Sequence, residues 1–374
     1  MIRTTMIVWM VVALAACARP PVNVIGVDNP TVPAASVEGA VRETVYVATS
    51  RQRVDDPSVL FGADRDTDDL NFFRVEVSIP PEHQPGMVER PEVLPPDPRR
   101  DFLILEPEII ADKAGFSRSL DRELATRPVD ERDIMLFVHG FNTDLVLSIL
   151  RAAQIKHDSG FEGIPVVFAW ASAAKAIDYV YDLNSALQAR DWLIDTADAV
   201  TVTRTPGVSV LAHSMGNMLT VEAMRQAQLQ GRFNRYGKLK NIILASPDID
   251  VDLFKRQLSV FPKDERTFYV LISANDKALD LSRRLAGGVN RVGNDDAEDL
   301  ADLGVTVIDL TEINDTNSLN HSKFADSPEI VQLIGKRLNA GDSLTERSSG
   351  GVLSNVTGAA QVLTGGAGNI VVLN

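Results

Sequence analysis

Between residues 134 and 340 the chain alternates short apolar runs with longer amphipathic stretches. The runs at 134–138, 165–170, 208–212, 241–245, 267–273 and 305–310 are apolar at nearly every position, the pattern of strands buried on both faces of a parallel sheet. The stretches at 143–157, 174–200, 217–230, 252–260, 278–286 and 328–338 read as helices. Such alternation predicts an α/β fold, a doubly wound and mostly parallel sheet with helices on both faces. Two earlier segments, 43–50 and 72–80, alternate instead and carry β-branched residues, which predicts a pair of early strands joined by an acidic loop. Residues 80–98 hold seven prolines in nineteen positions, too many for a continuous hydrogen-bond ladder, so a surface loop is expected there. Regular structure resumes at Phe102.

The ends of the chain have a different character. Arg3 precedes an apolar run from Met6 to Ala16, too short to span a bilayer but suited to the core of a signal peptide. It closes on Leu14-Ala15-Ala16-Cys17, which looks like a bacterial lipobox, in which the cysteine is lipidated and becomes the mature N-terminus. Cys17 is the single cysteine of the chain. The expected division is therefore a signal peptide over 1–16, a Pro- and Val-rich tether over 17–40, one α/β domain over 41–340 and a Gly/Ser-rich tail over 341–374. The expected location is the cell envelope, anchored to a membrane by lipid on the periplasmic side. Ala18 after Cys17, in place of the Asp associated with inner-membrane retention, favours the outer membrane.

Composition narrows the chemistry. Of 374 residues, 45% are hydrophobic and 24% charged, enough to build a sizeable core, and the net charge of −14 with no Lys/Arg-rich run argues against nucleic acid as a partner. The histidines stand at 83, 139, 157, 213 and 321, none of them at the i, i+4 spacing of a zinc-binding helix, and no nucleotide-binding glycine loop is present. Neither a metal nor a cofactor is expected.

One segment carries a specific signal. Val208-Ser-Val-Leu-Ala-His-Ser-Met-Gly216 is a strand followed at once by Ser214, with small residues two positions to either side and a helix after it. This is a nucleophile elbow, a sharp strand-to-helix turn that pushes a serine Oγ out of the backbone. Ala212 stands where the commoner motif has its first glycine, and Gly216 supplies the second. The start of the helix aims the Met215 N–H at the place where an oxyanion would form. Upstream, Phe137-Val-His-Gly-Phe-Asn142 ends a strand at the point where the second donor, the Phe141 N–H, is expected. Gly140 allows that turn, and His139 is read as a structural histidine of the loop.

With these two motifs in this order the chain resembles the bacterial α/β-hydrolase family of esterase/lipase-like proteins over residues 43 to 340. Further matching stretches are Tyr46-Val-Ala-Thr-Ser-Arg51, Val75-Glu-Val-Ser-Ile-Pro80, Ser246-Pro-Asp-Ile-Asp250 and Ser273-Ala-Asn-Asp-Lys-Ala-Leu279. The resemblance implies an α/β-hydrolase fold and a triad in the order Ser, acid, His. Asp276 follows a strand at the sheet's C-terminal edge and is the expected acid, with Asp248 as the alternative. His321, the histidine late in the chain, is the expected base, while His213 is read as packing or hydrogen bonding. The expected activity is hydrolysis of a small-molecule or lipid ester through an acyl-enzyme, without a cofactor. The alternative, from another class, is a catalytically inactive hydrolase-fold lipoprotein that binds or scaffolds in the envelope.

Overall fold

The computed structural model describes residues 19–263, 266–313, 319–340, 353–354, 360–365 and 368–373. The expected signal peptide and Cys17 lie outside the described residues. The first strands are β1 (Val41–Thr49), β2 (Arg51–Arg53), β3 (Phe61–Arg65), β4 (Asn71–Ile79) and β5 (Leu103–Ile110). Helix α1 (Lys113–Thr126) leads into β6 (Ile134–Val138), α2 (Leu145–Ser159) and β7 (Ile164–Ala169). Then come α3 (Tyr179–Gln188), α4 (Arg190–Thr201), β8 (Val208–His213), α5 (Met215–Leu229) and β9 (Leu239–Ala245). Next are α6 (Val251–Leu258), β10 (Phe268–Ile272), α7 (Lys277–Leu285), α8 (Ala297–Ala301) and β11 (Thr306–Asp309). The described chain closes with α9 (Lys323–Asp326), α10 (Pro328–Ala340) and strands β12 (Leu353–Ser354), β13 (Ala360–Gly365) and β14 (Gly368–Leu373).

Twelve strands form one sheet in the order β12-β13-β14-β11-β10-β9-β8-β6-β7-β1-β4-β5. The seven from β11 to β1 run parallel, with antiparallel strands added at both ends. The apolar runs predicted as buried parallel strands occupy this central part. Every residue of β6 and β7 is buried, and successive side chains serve opposite faces. Leu136, Val138, Val210 and Ala212 join the core under α1, α3, α4, α5 and α6. Met135, Phe137 and Leu211 join the second core, under α2 and α10.

Several elements depart from the expectation. The stretch 174–200 is two helices rather than one, broken at Ala189, and its first residues form a loop in which Ala174 has φ of 53°. The acidic segment between β1 and β4 contains the β2–β3 hairpin. Part of the expected tether lies along the domain: Val24, Ile25 and Ala34 are buried, and Gly26 N–H donates to Ile104 O at 2.7 Å. Within 341–374, β14 pairs antiparallel with β11, so the described part of this segment extends the sheet. Among the described residues no helix is long and apolar enough to cross a membrane.

Candidate active site

The strand order reverses at β6: the chain leaves it for β7 on one side and later returns to β8 on the other. A crevice outside the C-terminal ends of strands is expected at such a reversal. The segments that leave these two strands, His139-Gly140-Phe141 and Ser214, meet there.

Ser214 has φ of 53° and ψ of −126°, a conformation that L residues adopt only when their surroundings hold them in it. Ser214 N–H donates to Ala245 O at 3.0 Å, its own carbonyl accepts from Asp248 N–H at 3.2 Å, and Asn217 Nδ2 donates to Ala245 O at 2.7 Å. The strained turn is thus tied to the end of β9. Two glycines are required by close approach. A Cβ on Gly140 would lie 2.8 Å from Ser214 Cβ, and one on Gly216 would lie 2.3 Å from His139 O. The N–H groups of Phe141 and Met215 find no acceptor among the described residues.

The turn after β6 is held from behind. His139 is 1% exposed and stacks on Trp170 at 5.0 Å, with its ring nitrogens facing Gly140 O and Trp170 O and its carbonyl accepting from Trp170 Nε1. Burial, helped by the charge of Arg51, pushes its pKa down to about 3, so the ring is neutral. Asp182, fully buried, accepts from Ser172 Oγ, Ala173 N–H and Asn142 N–H. Nothing in the local sequence marks Asp182 for this task, since its partners lie in two other loops.

Asp276 and His321 are brought together. His321 Nδ1 lies 2.7 Å from Asp276 Oδ2, which fixes the tautomer with the proton on Nδ1 and leaves Nε2 free to accept. Asp276 is fully buried, and its other oxygen accepts the N–H groups of Ala278 and Leu279 as the N-cap of α7. The loop that carries His321 is strapped to this turn. Lys277 N–H donates to Leu319 O at 3.0 Å, and buried Lys323 donates to Ser273 Oγ, Asn275 Oδ1 and Leu310 O. His213, the residue before Ser214, reaches the same loop: its Nε2 donates to His321 O at 3.1 Å and its ring lies 4.7 Å from that of His321. Burial and the neighbouring His321 hold the His213 pKa well below its usual value. Among the described residues no hydrogen bond joins Ser214 Oγ to His321 Nε2.

Asp248, the alternative acid, is committed elsewhere. It accepts from Tyr179 OH at 3.0 Å and Ser282 Oγ at 2.5 Å and pairs with Arg291 at 3.3 Å, with no histidine among these partners. Tyr179 packs edge-on against Phe141 at 5.3 Å, and burial together with Asp248 pushes its pKa up to about 12. Of the aromatics in 174–200, Tyr179 therefore lies at the site, whereas the Tyr181 ring lies under the guanidinium of Arg65 and Trp192 packs on the core. The described residues contain one cluster with the spacing to hold a cation, His83, His157 and Asp158, away from Ser214. Both ring nitrogens of His83 are already engaged by carboxylates, Glu89 and Asp158, each at 2.8 Å.

A family model described as alpha/beta hydrolase of unknown function (DUF900) matches residues 112–337. No curated protein matches the chain. Solved structures that resemble it include a monoclinic form of an esterase from Pyrobaculum calidifontis, 13% identical, with 61% of this chain and 92% of that chain covered and a TM-score of 0.35. A hyperthermophilic esterase structure from the same archaeon is 14% identical over 61% and 90% of the two chains, TM-score 0.35. An arylesterase is 11% identical over 89% and 91%, TM-score 0.33. Family membership rests on the family model.

Proposed function

This chain belongs to the α/β-hydrolase family of unknown function, DUF900, and we propose that it is a serine hydrolase that cleaves carboxylic esters through an acyl-enzyme. The observation that carries this reading is the Asp276–His321 pair at 2.7 Å in a loop tied through His213 to the strained turn of Ser214. In this mechanism Ser214 Oγ attacks the ester carbonyl carbon while His321 Nε2 takes the hydroxyl proton. The unpartnered N–H groups of Phe141 and Met215 receive the developing oxyanion. His321 then gives the proton to the departing alkoxide, the C–O bond breaks, and an alcohol leaves. Water, deprotonated by the same nitrogen, releases the acid from Ser214. Asp276 keeps Nδ1 protonated and stabilises the imidazolium in each half-reaction. The Ser214–His321 hydrogen bond forms when substrate binds; such bonds are commonly long in an empty site.

Labelling with a fluorophosphonate and hydrolysis of p-nitrophenyl esters test the proposal directly. Wild-type protein should take up one label and turn over, and Ser214→Ala should do neither. Turnover that survives Ser214→Ala overturns the mechanism. We also propose that Cys17 carries a lipid that holds the protein at the cell envelope; palmitate incorporation that is unchanged in Cys17→Ser would overturn this.

A further inference from the structure

The surface of this chain is acidic overall, yet a cavity of about 340 Å³ beside the oxyanion turn is lined by three arginines, Arg19, Arg51 and Arg90, and one carboxylate, Asp144. Asn142, which follows the proposed oxyanion donor Phe141, forms part of its wall. The cavity thus borders the turn that follows β6.

The charges there do not balance. Arg51 is 1% exposed and donates to three neutral acceptors, Gly62 O, Ser172 O and Thr143 O, forming no ion pair with any described carboxylate. Its Nε–H has no partner, and neither has that of Arg90. Burial pulls the Arg51 pKa down to about 10, opposed by the more distant charges of Asp144 and Asp182. A buried cation without a counter-ion is costly, and an anion beside it relieves that cost. Asp144 forms no hydrogen bond with Arg51: one oxygen takes Arg90 Nη1 at 2.9 Å and the other caps α2 through Leu147 N–H. Helix α2, fifteen residues long, begins at the cavity and adds the positive end of its dipole. With Asp182, whose charge also acts on Arg51, two carboxylates face three guanidinium groups, which leaves an excess of positive charge. The rest of the wall includes apolar Val22, Val59 and Phe61, and a volume many times the ~30 Å³ share of a water leaves room for more than solvent.

We propose that this cavity receives an oxyanionic group of the substrate, a carboxylate or phosphate carried a few bonds from the scissile ester. The proposal rests on the hydrolase reading for the ester and on the cavity alone for the anion. The substrate's carbonyl oxygen lies at Phe141 N–H, its apolar linker runs along the aliphatic and aromatic wall, and its acid end meets Arg51 and Arg90. Arg51 Nη1 and Nη2 donate to backbone carbonyls and those of Arg90 to Asp144 and Pro21 O, and the Nε–H groups of both are the donors without a partner.

Two measurements on the full-length chain separate these parts. Calorimetric titration of Ser214→Ala with glutarate and with inorganic phosphate at low salt should show saturable binding, weakened roughly tenfold by Arg90→Gln and less by Arg19→Gln at the exposed rim. Absence of saturable binding, or binding that neither substitution weakens, overturns the proposal. In the second measurement, wild-type kcat/KM for p-nitrophenyl hydrogen glutarate should exceed that for the neutral p-nitrophenyl pentanoate, and Arg90→Gln should lower that ratio about tenfold. Equal turnover of both esters by wild type overturns the assignment to substrate. Binding of glutarate with hydrolysis of neither ester supports the anion site and counts against the hydrolase reading.

Discussion

At the scale of single residues, the difference between His321 and His213 decides how the site works. Asp276 orients His321 by one hydrogen bond, and Asp276→Asn should replace the acceptor with a group that favours the wrong tautomer. Roughly 10⁴-fold loss of kcat with KM nearly unchanged is expected, and a loss under tenfold would rule Asp276 out as the acid. His213 acts on the backbone of His321 and touches no substrate in this scheme, so it is a positioning residue. His213→Ala should lower kcat by about 10- to 100-fold, because small displacements of catalytic groups are costly, and His213→Gln, which can still donate, should recover part of it. If both variants lose only stability and keep kcat, His213 is merely packing. A strand-to-helix motif marks Ser214 in the sequence and chain order points to Asp276 and His321, which the structure places in contact. His213 is read from sequence as packing or hydrogen bonding, and it does bond to His321 O; its partner was not legible, since strand alternation gives no hint that the later loop folds back over it. The sequence left Asp248 as an alternative acid, and its partners are Tyr179, Ser282 and Arg291 rather than a histidine.

At the scale of elements, the parallel strands could be read because burial on both faces leaves a run of apolar residues with no polar interruption, as in β6 and β7. Helix α1 has no clear signature in the sequence, because its buried residues, Phe116, Ser119, Leu120 and Leu124, are few and mixed with charge. The β2–β3 hairpin was hidden by its polar sequence, and Arg51 within it is buried by tertiary contacts that no local pattern announces. Joining two elements is the task of Gly216, where the first turn of α5 meets the backbone after β6. An added Cβ would lie 2.3 Å from His139 O and 2.8 Å from Val138 O, both backbone atoms, so the helix or the turn after β6 must move. Gly216→Ala is therefore expected to destabilise the fold by about 1–3 kcal/mol and to reduce kcat more than binding. Urea denaturation together with kcat and KM would test this; wild-type values for both would show that the approach is looser than 2.3 Å.

At the scale of the molecule, the Pro-rich segment 80–98 is held to α2 by charged contacts at both ends of the helix, Arg90 with Asp144 and His83 with Asp158. His83 Nδ1 faces Glu89 and Nε2 faces Asp158 on α2, its ring packs near Phe102 and His157, and its side chain is 5% exposed. Burial alone would lower the His83 pKa, but the bonds to Asp158 and Glu89 outweigh it and raise the value from 6.5 to about 9. Burial likewise favours the neutral forms of Glu89 and Asp158, and their bonds to His83 reverse this and lower both pKa values. Because the folded-state pKa of His83 is raised, its contribution is complete below about pH 6.5 and is lost as pH rises through about 9. The carboxylates behave oppositely, contributing above their unfolded pKa values near 4 and losing that contribution as pH falls further. Stability from the His83 junction should therefore be greatest near pH 5–6.5 and decline by on the order of 3 kcal/mol by pH 9–10, since a tenfold change in proton affinity between the folded and unfolded chain is worth about 1.4 kcal/mol. Chemical denaturation across pH 5 to 10 should show this decline in wild type and a much flatter profile over the same alkaline range in His83→Gln. Parallel profiles for the two proteins would mean that His83 is neutral in the folded state and that the segment is held by packing on Phe102 instead.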